Sequence, residues 1–194
     1  MAGTVLPILA SPFIILYLLS SFSTILVTAE DQGYVRSLDP KVLKLEKQQL
    51  TQFHFYWHDI VSGSNPTAVL VVPAPSNSST AFGLVRMFDD PLTVGTNMSS
   101  GLIGRAQGFY ASASQKDLEL LMVMNLAFTD GKYNGSSITI QGRNPVFNKV
   151  RELPVVGGSG LFRFASGYAE IRTFTFDLNS RDAVVEYNLS VLHY

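Results

Sequence analysis

The sequence predicts an all-β fold, either a sandwich or a barrel, and three observations support this prediction. Short apolar runs follow one another from residue 51 to the end of the chain. Clusters of Gly, Pro, Asn and Ser separate these runs, which is the pattern of many short strands joined by turns. In several runs apolar and polar side chains alternate, as expected for strands that bury one face.

The apolar runs are the predicted strands, in chain order: 51–61, 67–72, 82–89, 104–113, 118–129, 136–142, 150–156, 160–177 and 183–194. The run LELLMVMNLAFT at 118–129 is apolar nearly throughout, so its pattern also permits a helix, but we expect a central strand. Glycines inside GRAQGFY and FASGYAE indicate bulges, bends or close approach of strands. Asp89 and Asp90 precede Pro91, and we expect them to open a turn.

The first 29 residues carry no charged side chain and are predominantly apolar. Such a segment is either a secretory signal or a membrane anchor. Two prolines and a cluster of hydroxyl residues favour a signal that is cleaved after Ala29, although no Lys or Arg precedes it. We therefore expect no stable membrane span after cleavage, and the predicted organisation is a signal peptide at 1–29, an N-terminal leader at 30–50 and one domain at 51–194.

The chain has four N-glycosylation sequons, which agree with the secretory route. In the last predicted strand the sequon asparagine shares a face with Glu186 and Ser190, opposite the apolar face, so it is expected to face water. The predicted acceptors are Asn77, Asn97, Asn134 and Asn188.

Composition excludes several classes of function. Basic and acidic residues nearly balance, 14 against 15, so no basic surface indicates nucleic-acid binding. The chain has no cysteine, which removes disulfides, thiolate nucleophiles and thiolate metal ligands. His54 and His58 share a strand face but would lie roughly 13 Å apart, too far to bind one ion. We expect neither a metal site nor a cofactor.

One carboxylate follows an aromatic strand face. In FHFYWHDI, Asp59 has the same two-residue phase as Phe53, Phe55 and Trp57. A buried carboxylate is costly unless it is paired or hydrogen-bonded. Asp59 is therefore either a satisfied structural group or a working acid.

Three further polar side chains share a phase with the inward residues of predicted strands. Asn144 follows the phase of Ile138 and Ile140, and Arg151 follows that of Leu153 and Val155. Tyr110 follows two small residues, Ala106 and Gly108. These groups either satisfy one another inside the fold or form a functional site.

Four motifs, in order and with the usual spacing, resemble those of the plant dirigent family: YWHDI, FDDPLT, GRAQGFY and RELPVVGGSGLFRFASGYA. The resemblance covers about residues 52–194. It implies an eight-stranded antiparallel β-barrel, like that of allene oxide cyclases, and a homotrimer secreted to the apoplast. It also implies a phenolic ligand in the barrel cavity.

The family has two functional kinds. One guides stereoselective coupling of phenoxy radicals to lignans, with the radicals made by a separate oxidase. The other, the pterocarpan synthases, dehydrates an isoflavan-4-ol to a pterocarpan. Coupling members are expected to carry a cysteine near each end of the mature chain, and an aspartate where this sequence has Asn144. This sequence has neither the two cysteines nor the aspartate. Both differences favour the dehydratase kind, a carbon–oxygen lyase without a cofactor.

The resemblance also implies roles for individual residues. Asp59 would be the general acid, Arg151 would stabilise the developing phenolate, and Tyr110 would donate a hydrogen bond to that phenolate. Phe55, Trp57 and Asn144 would bind the isoflavanol. The second family acid cannot be carried over, because its position is occupied by Asn144. The alternative function is the non-enzymatic guide of radical coupling.

Overall fold

A computed structural model describes residues 35–194, of which residues 40–194 form one compact unit. The predicted signal peptide lies outside the described residues, as does the start of the leader at 30–34. The rest of the leader is irregular apart from a short 3₁₀ helix at Pro40–Leu43 and its last two residues, Gln49 and Leu50, which already belong to the first strand. Within the described part of the chain, no helix is both long and apolar enough to cross a membrane.

The fold consists of β-strands joined by turns, with two further short 3₁₀ turns at Gly131–Tyr133 and Gly160–Phe162. The strands are β1 (Gln49–Asp59), β2 (Ala68–Val72), β3 (Val85–Thr93), β4 (Leu102–Ser112), β5 (Glu119–Phe128), β6 (Ser137–Pro145), β7 (Arg151–Ser159), β8 (Ser166–Phe176) and β9 (Ala183–His193).

Eight of these strands close into an antiparallel barrel. The strand order is β1-β9-β8-β7-β6-β5-β4-β3, and β3 pairs back onto β1 through Tyr56 opposite Thr93 and Trp57 opposite Leu92. β2 pairs with the first half of β3 and lies outside this ring. The predicted eight-stranded antiparallel barrel is therefore confirmed. Closure leaves few free strand edges, which stabilises the barrel against edge-to-edge association.

The prediction of a turn at Asp89 and Asp90 is wrong, because β3 continues through both residues and Pro91. Pro91 lies between the stretch of β3 that pairs with β2 and the stretch that pairs with β1. The missing N–H of a proline costs least at such a change of partner. As a result Asp89 is exposed and Asp90 is fully buried.

Two other expectations concern single elements. The ambiguous run at 118–129 forms β5, so the predicted strand is confirmed. The predicted strand at 160–177 is shorter than expected, because its start forms the 3₁₀ turn and β8 begins at Ser166. Gly160 and Phe164 both have a positive φ of 63°, which interrupts extended backbone there.

Aromatic side chains plug one end of the barrel. Phe53, Phe128, Tyr133 and Phe162 pack against one another with ring centroids 5.1 to 6.1 Å apart. Such contacts contribute both apolar burial and favourable ring geometry. Because Phe53 lies near the start of β1 and Asp59 at its end, the acid reaches the opposite, open end of the barrel.

Candidate functional site

A cavity of about 810 Å³ occupies the open end of the barrel. All eight strands of the ring contribute lining residues, and the mouth is formed by the segments 78–81, 146–149 and 178–181. This is the size range of sites that hold small organic ligands. The cavity contains five of the six residues that the sequence predicted as catalytic or substrate-binding: Trp57, Asp59, Tyr110, Asn144 and Arg151.

Asp59 is a largely buried carboxyl group that faces this cavity. Its side chain is 9 % exposed, and the Tyr110 hydroxyl donates a hydrogen bond of 3.1 Å to its Oδ2. Its Oδ1 is buried and has no hydrogen-bond partner within residues 35–194. Burial raises the pKa of Asp59 to about 6, against the opposing effects of the Tyr110 hydrogen bond and the Arg86 charge. Asp59 can therefore hold or release a proton near neutral pH.

Tyr110 lies beside Asp59 and lines the same cavity. The sequence-based mechanism has its hydroxyl donating to a substrate phenolate, whereas the structure has it donating to Asp59. Burial raises the pKa of Tyr110 well above its usual value, so this hydroxyl stays protonated and remains a donor. Its effect is to hold the Asp59 carboxyl in place.

Arg86, which the sequence did not single out, is the cation that acts on Asp59. It lies on β3 directly opposite Tyr110 on β4, and it lines the same cavity. The sequence-based mechanism names only Arg151 as a cation of the site. The sequence did contain a signal for Arg86. It lies two residues before Phe88 on the same strand, so both side chains point to the same face, and Phe88 is buried.

Asp90 is a second buried carboxyl, which sequence reasoning placed in a turn. Thr67 donates a hydrogen bond to its Oδ1, while its Oδ2 has no partner. Burial first, and then the neighbouring charge of Asp59, raise the pKa of Asp90 to about 8. The Trp57 indole N–H favours the charged form of Asp90, although its geometry falls outside that of a hydrogen bond. With this pKa Asp90 is mostly protonated at pH 7, and it lies on β3 beneath the cavity without lining it.

Arg151 and Asn144 lie on the wall opposite Asp59. β1, β3 and β4 are neighbours in the ring, and so are β6, β7 and β8. These two sets of strands are separated by β9 on one side and by β5 on the other. Arg151 Nη1 donates to the Val146 carbonyl and to Thr173 Oγ1, each at 2.9 Å. Its Nε and Nη2 are buried without a partner, as is Asn144 Oδ1. Burial lowers the pKa of Arg151 from its usual value.

An aromatic layer separates the cavity from the plugged end of the barrel. Trp57 contacts Phe88 with a centroid distance of 5.4 Å, and Tyr187 stacks on Phe55 at 5.2 Å. Phe55 is fully buried and does not line the cavity, so the structure does not place it where the sequence predicted a substrate contact. Tyr187 was not singled out for the site, yet its buried hydroxyl has no partner.

Buried polar atoms without partners are rare in proteins, where they are usually satisfied by protein, water or ligand. In residues 35–194 such atoms come from side chains of the cavity wall and of the layer beneath it. They are Trp57 Nε1, Asp59 Oδ1, Asp90 Oδ2, Asn144 Oδ1, Arg151 Nε, Arg151 Nη2 and Tyr187 Oη. Their concentration here indicates a place for a ligand with several polar groups.

The remaining predicted sites lie on the surface. The four sequon asparagines, Asn77, Asn97, Asn134 and Asn188, are all exposed, as glycosylation requires. Over residues 35–194, no group of three or more His, Asp or Glu residues is arranged to hold a metal ion.

Comparisons with known proteins agree with this architecture. Residues 50–192 match the family described as "Dirigent-like protein". Dirigent protein 7 of Arabidopsis thaliana is 56 % identical over 163 residues, covering 84 % of this chain and 87 % of the relative. Pterocarpan synthase 1 of Glycine max is 46 % identical over 172 residues, covering 87 % of this chain and 91 % of the relative.

A solved structure supports the same conclusion. The structure of the pterocarpan synthase dirigent protein GePTS1 is 44 % identical and superposes with a TM-score of 0.76, covering 82 % of this chain and 99 % of that chain. With a family match over most of the chain, relatives of high identity and the shared barrel, this protein belongs to the dirigent family.

Proposed function

We propose that this dirigent protein dehydrates an isoflavan-4-ol to a pterocarpan through a quinone methide, as a carbon–oxygen lyase. The carrying observation is the Asp59 carboxyl, which lines the cavity and has a pKa raised to about 6. Guiding the coupling of radicals requires only a shaped site. Expelling water from a benzylic alcohol requires a proton donor, and Asp59 has the properties of one.

In the proposed reaction Asp59 gives its proton to the benzylic hydroxyl, and the carbon–oxygen bond breaks to release water. The phenol para to that carbon loses its proton, so the product of this step is a neutral quinone methide. A second phenol of the same molecule then adds to the methide carbon and closes the ring. Ring closure turns the methide carbonyl oxygen back into a phenolate, which takes up a proton from solvent in place of the one lost earlier. The proton of the second phenol returns to Asp59, so that the overall change is the loss of one water.

The other residues of the cavity support these steps in distinct ways. Arg151, on the opposite wall, has two unpartnered N–H groups that can stabilise the developing phenolate oxygen. Tyr110 holds the Asp59 carboxyl, and Trp57 gives the substrate ring an apolar surface. Enclosure by all eight strands restricts which face of the methide the second phenol can reach.

The relatives supply support for both functional kinds. Two pterocarpan synthases match at 43 % and 46 % identity, and proteins named only as dirigent proteins match at up to 56 %. The competing function is a guide of radical coupling without catalysis of its own. That guide would leave an isoflavan-4-ol unchanged and would alter only the enantiomeric ratio of coupled phenols when an oxidase is added.

The test uses purified protein, an isoflavan-4-ol and no oxidant. Dehydration to the pterocarpan is expected, with turnover in Asp59→Asn at least about ten-fold lower because the proton donor is lost. Asp130→Asn, a change at an exposed aspartate outside the cavity, is the matched control and should keep full activity. Failure of the wild-type protein to dehydrate, together with biased coupling under an added oxidase, would establish the guide instead.

Secretion to the apoplast and assembly as a homotrimer belong to the same proposal. The exposure of all four sequon asparagines supports passage through the secretory route. Apolar side chains exposed on β2, Val69 to Val72, offer surface for contact with another copy of the chain. Enzymatic deglycosylation followed by a mass measurement, and light scattering of the purified protein, test these two expectations.

A further inference from the structure

The cavity lining is strongly basic although the chain as a whole is not. Lysine and arginine line it at four positions, against a single acid, Asp59. The whole chain has 14 basic and 15 acidic residues. None of the four basic residues forms a salt bridge within the part of the chain that the structure describes; they are Arg86, Lys149, Arg151 and Arg181.

Arg151 has two guanidinium nitrogens that no protein atom in residues 35–194 satisfies. Its side chain is 4 % exposed, and its Nη1 is held by the Val146 carbonyl and Thr173. The atoms left without partners, Nε and Nη2, form one edge of the planar guanidinium. Two parallel N–H groups on that edge match the spacing of a carboxylate, whereas a phenolate oxygen can occupy only one position. A buried guanidinium with a free edge is costly until an anion occupies it.

Two exposed cations extend this positive potential to the mouth of the cavity. Lys149 precedes β7 by two residues, and Arg181 lies in the loop between β8 and β9. The acids closest to Arg181 in sequence form no salt bridge with it in the described residues. Asp182 accepts from the N–H groups of Val61 and Ser62, and its charge also acts on Asp59, whereas Asp177 accepts from the N–H groups of the loop. Positive charge around a concave site attracts anions and raises their local concentration.

We propose that the cavity also binds phenols that carry a carboxylate, with the carboxylate on the free edge of Arg151 and Lys149 and Arg181 at the mouth. This inference rests on the proposed function only in that both use the same cavity. An acid of this class would compete with the neutral isoflavanol for Arg151. It would therefore act as an inhibitor or an alternative ligand of the protein.

The test compares two probes that differ only in the acidic group: 4-hydroxycinnamate and 4-hydroxycinnamyl alcohol. Titration calorimetry with the full-length protein at pH 7 should give the acid at least about ten-fold tighter binding than the alcohol, the effect expected of charge-assisted hydrogen bonds. The preference should decrease as salt is added, because Lys149 and Arg181 are exposed.

Substitutions test whether Arg151, Lys149 and Arg181 cause the preference for the acid over the alcohol. Arg151→Gln should abolish the preference, and the exposed pair Lys149→Gln/Arg181→Gln should reduce it without the risk of unfolding that a buried change carries. Lys47→Gln/Arg163→Gln removes the same two residue types from exposed positions outside the cavity and should leave the preference unchanged.

Equal affinity for the two probes, no binding of the acid, or an equal loss of preference in the control pair would each overturn the inference. The outcome is independent of catalysis, because binding is measured without turnover. Dehydration of an isoflavan-4-ol with no preference for the acid would leave the proposed function standing and this inference wrong. A preference for the acid without dehydration would support this inference and contradict the proposed function.

Discussion

At the scale of single residues, the pKa of Asp59 results from opposing influences. Burial raises it, while the Tyr110 hydrogen bond and the positive charge of Arg86 lower it. If Asp59 acts in its protonated form, turnover decreases as the pH rises through its pKa, about 6. The position of that descending limb is therefore a measure of the electrostatic environment of this one carboxyl.

Replacing Arg86 by Gln tests this environment. The change removes a charge that favours the ionised form of Asp59, so the pKa of Asp59 should rise. If the protein dehydrates as proposed, the descending limb of the pH profile of kcat should then move to higher pH, and the variant should stay active in more alkaline buffer than the wild type. Arg163→Gln, at an exposed site outside the cavity, is the control. A limb that stays in place or moves to lower pH would contradict the assignment of Asp59.

Residue-level prediction from the sequence succeeded for side chains that continue the alternation of a clear strand. Asp59, Tyr110 and Arg151 follow the phase of apolar neighbours, and all three line the cavity. Asp90 was missed because Asp-Asp-Pro is a sequence typical of turns, so the strand was ended too early. Arg86 was missed because phase shows which way a side chain points but not which side chains of other strands it meets.

At the scale of elements, β4 and β5 approach each other closely at glycine. A Cβ placed on Gly108 would lie 2.0 Å from the Val123 carbonyl oxygen, which belongs to the backbone and cannot rotate away. By contrast, a Cβ on Gly157 of β7 would have no atom within 4 Å. The sequence indicated bulges, bends or close approach at the glycines of GRAQGFY, and at Gly108 the structure has close approach.

Gly108→Ala should therefore destabilise the barrel, whereas Gly157→Ala should not. The first change forces β4 and β5 apart, at a cost of about 3 kcal/mol, and should lower Tm by roughly 10 °C for a domain of this size. The second fills open space in a strand and should change stability by less than about 1 kcal/mol. Thermal unfolding followed by circular dichroism measures both, and equal Tm values for the two variants would rule out close packing as the reason for Gly108.

At the scale of the whole molecule, closure of the barrel depends on contacts between distant parts of the chain. The first strand pairs with the last along its full length, from Gln49 opposite His193 to Asp59 opposite Ala183. Alternation in the sequence predicted the strands and their buried faces, but not which strands are neighbours. The eight-stranded ring was predicted only through the family resemblance, since nine runs of residues looked like strands and nothing in their periodicity placed β2 outside the ring.

The buried carboxyls should also make the stability of the whole barrel depend on pH. Asp90 has a pKa of about 8 in the folded protein, against an ordinary value of 3.8. Between these two values the folded state binds more protons than the unfolded state, so the free energy of unfolding decreases as the pH rises. Asp59 acts in the same direction up to about pH 6. Burial lowers the pKa of His58 from 6.5, so His58 contributes little above that pH.

The window from pH 6.5 to 8 therefore isolates Asp90. Urea unfolding should give a free energy that decreases by about 1 kcal/mol per pH unit across it. In Asp90→Asn, whose amide has the shape of the protonated carboxyl and no titratable proton, the dependence should largely vanish. Asp130→Asn removes an exposed carboxyl and should retain the wild-type dependence. A stability that rises over this window in the wild type, or a slope unchanged in Asp90→Asn, would mean that Asp90 is ionised in the folded barrel and that burial does not hold its proton.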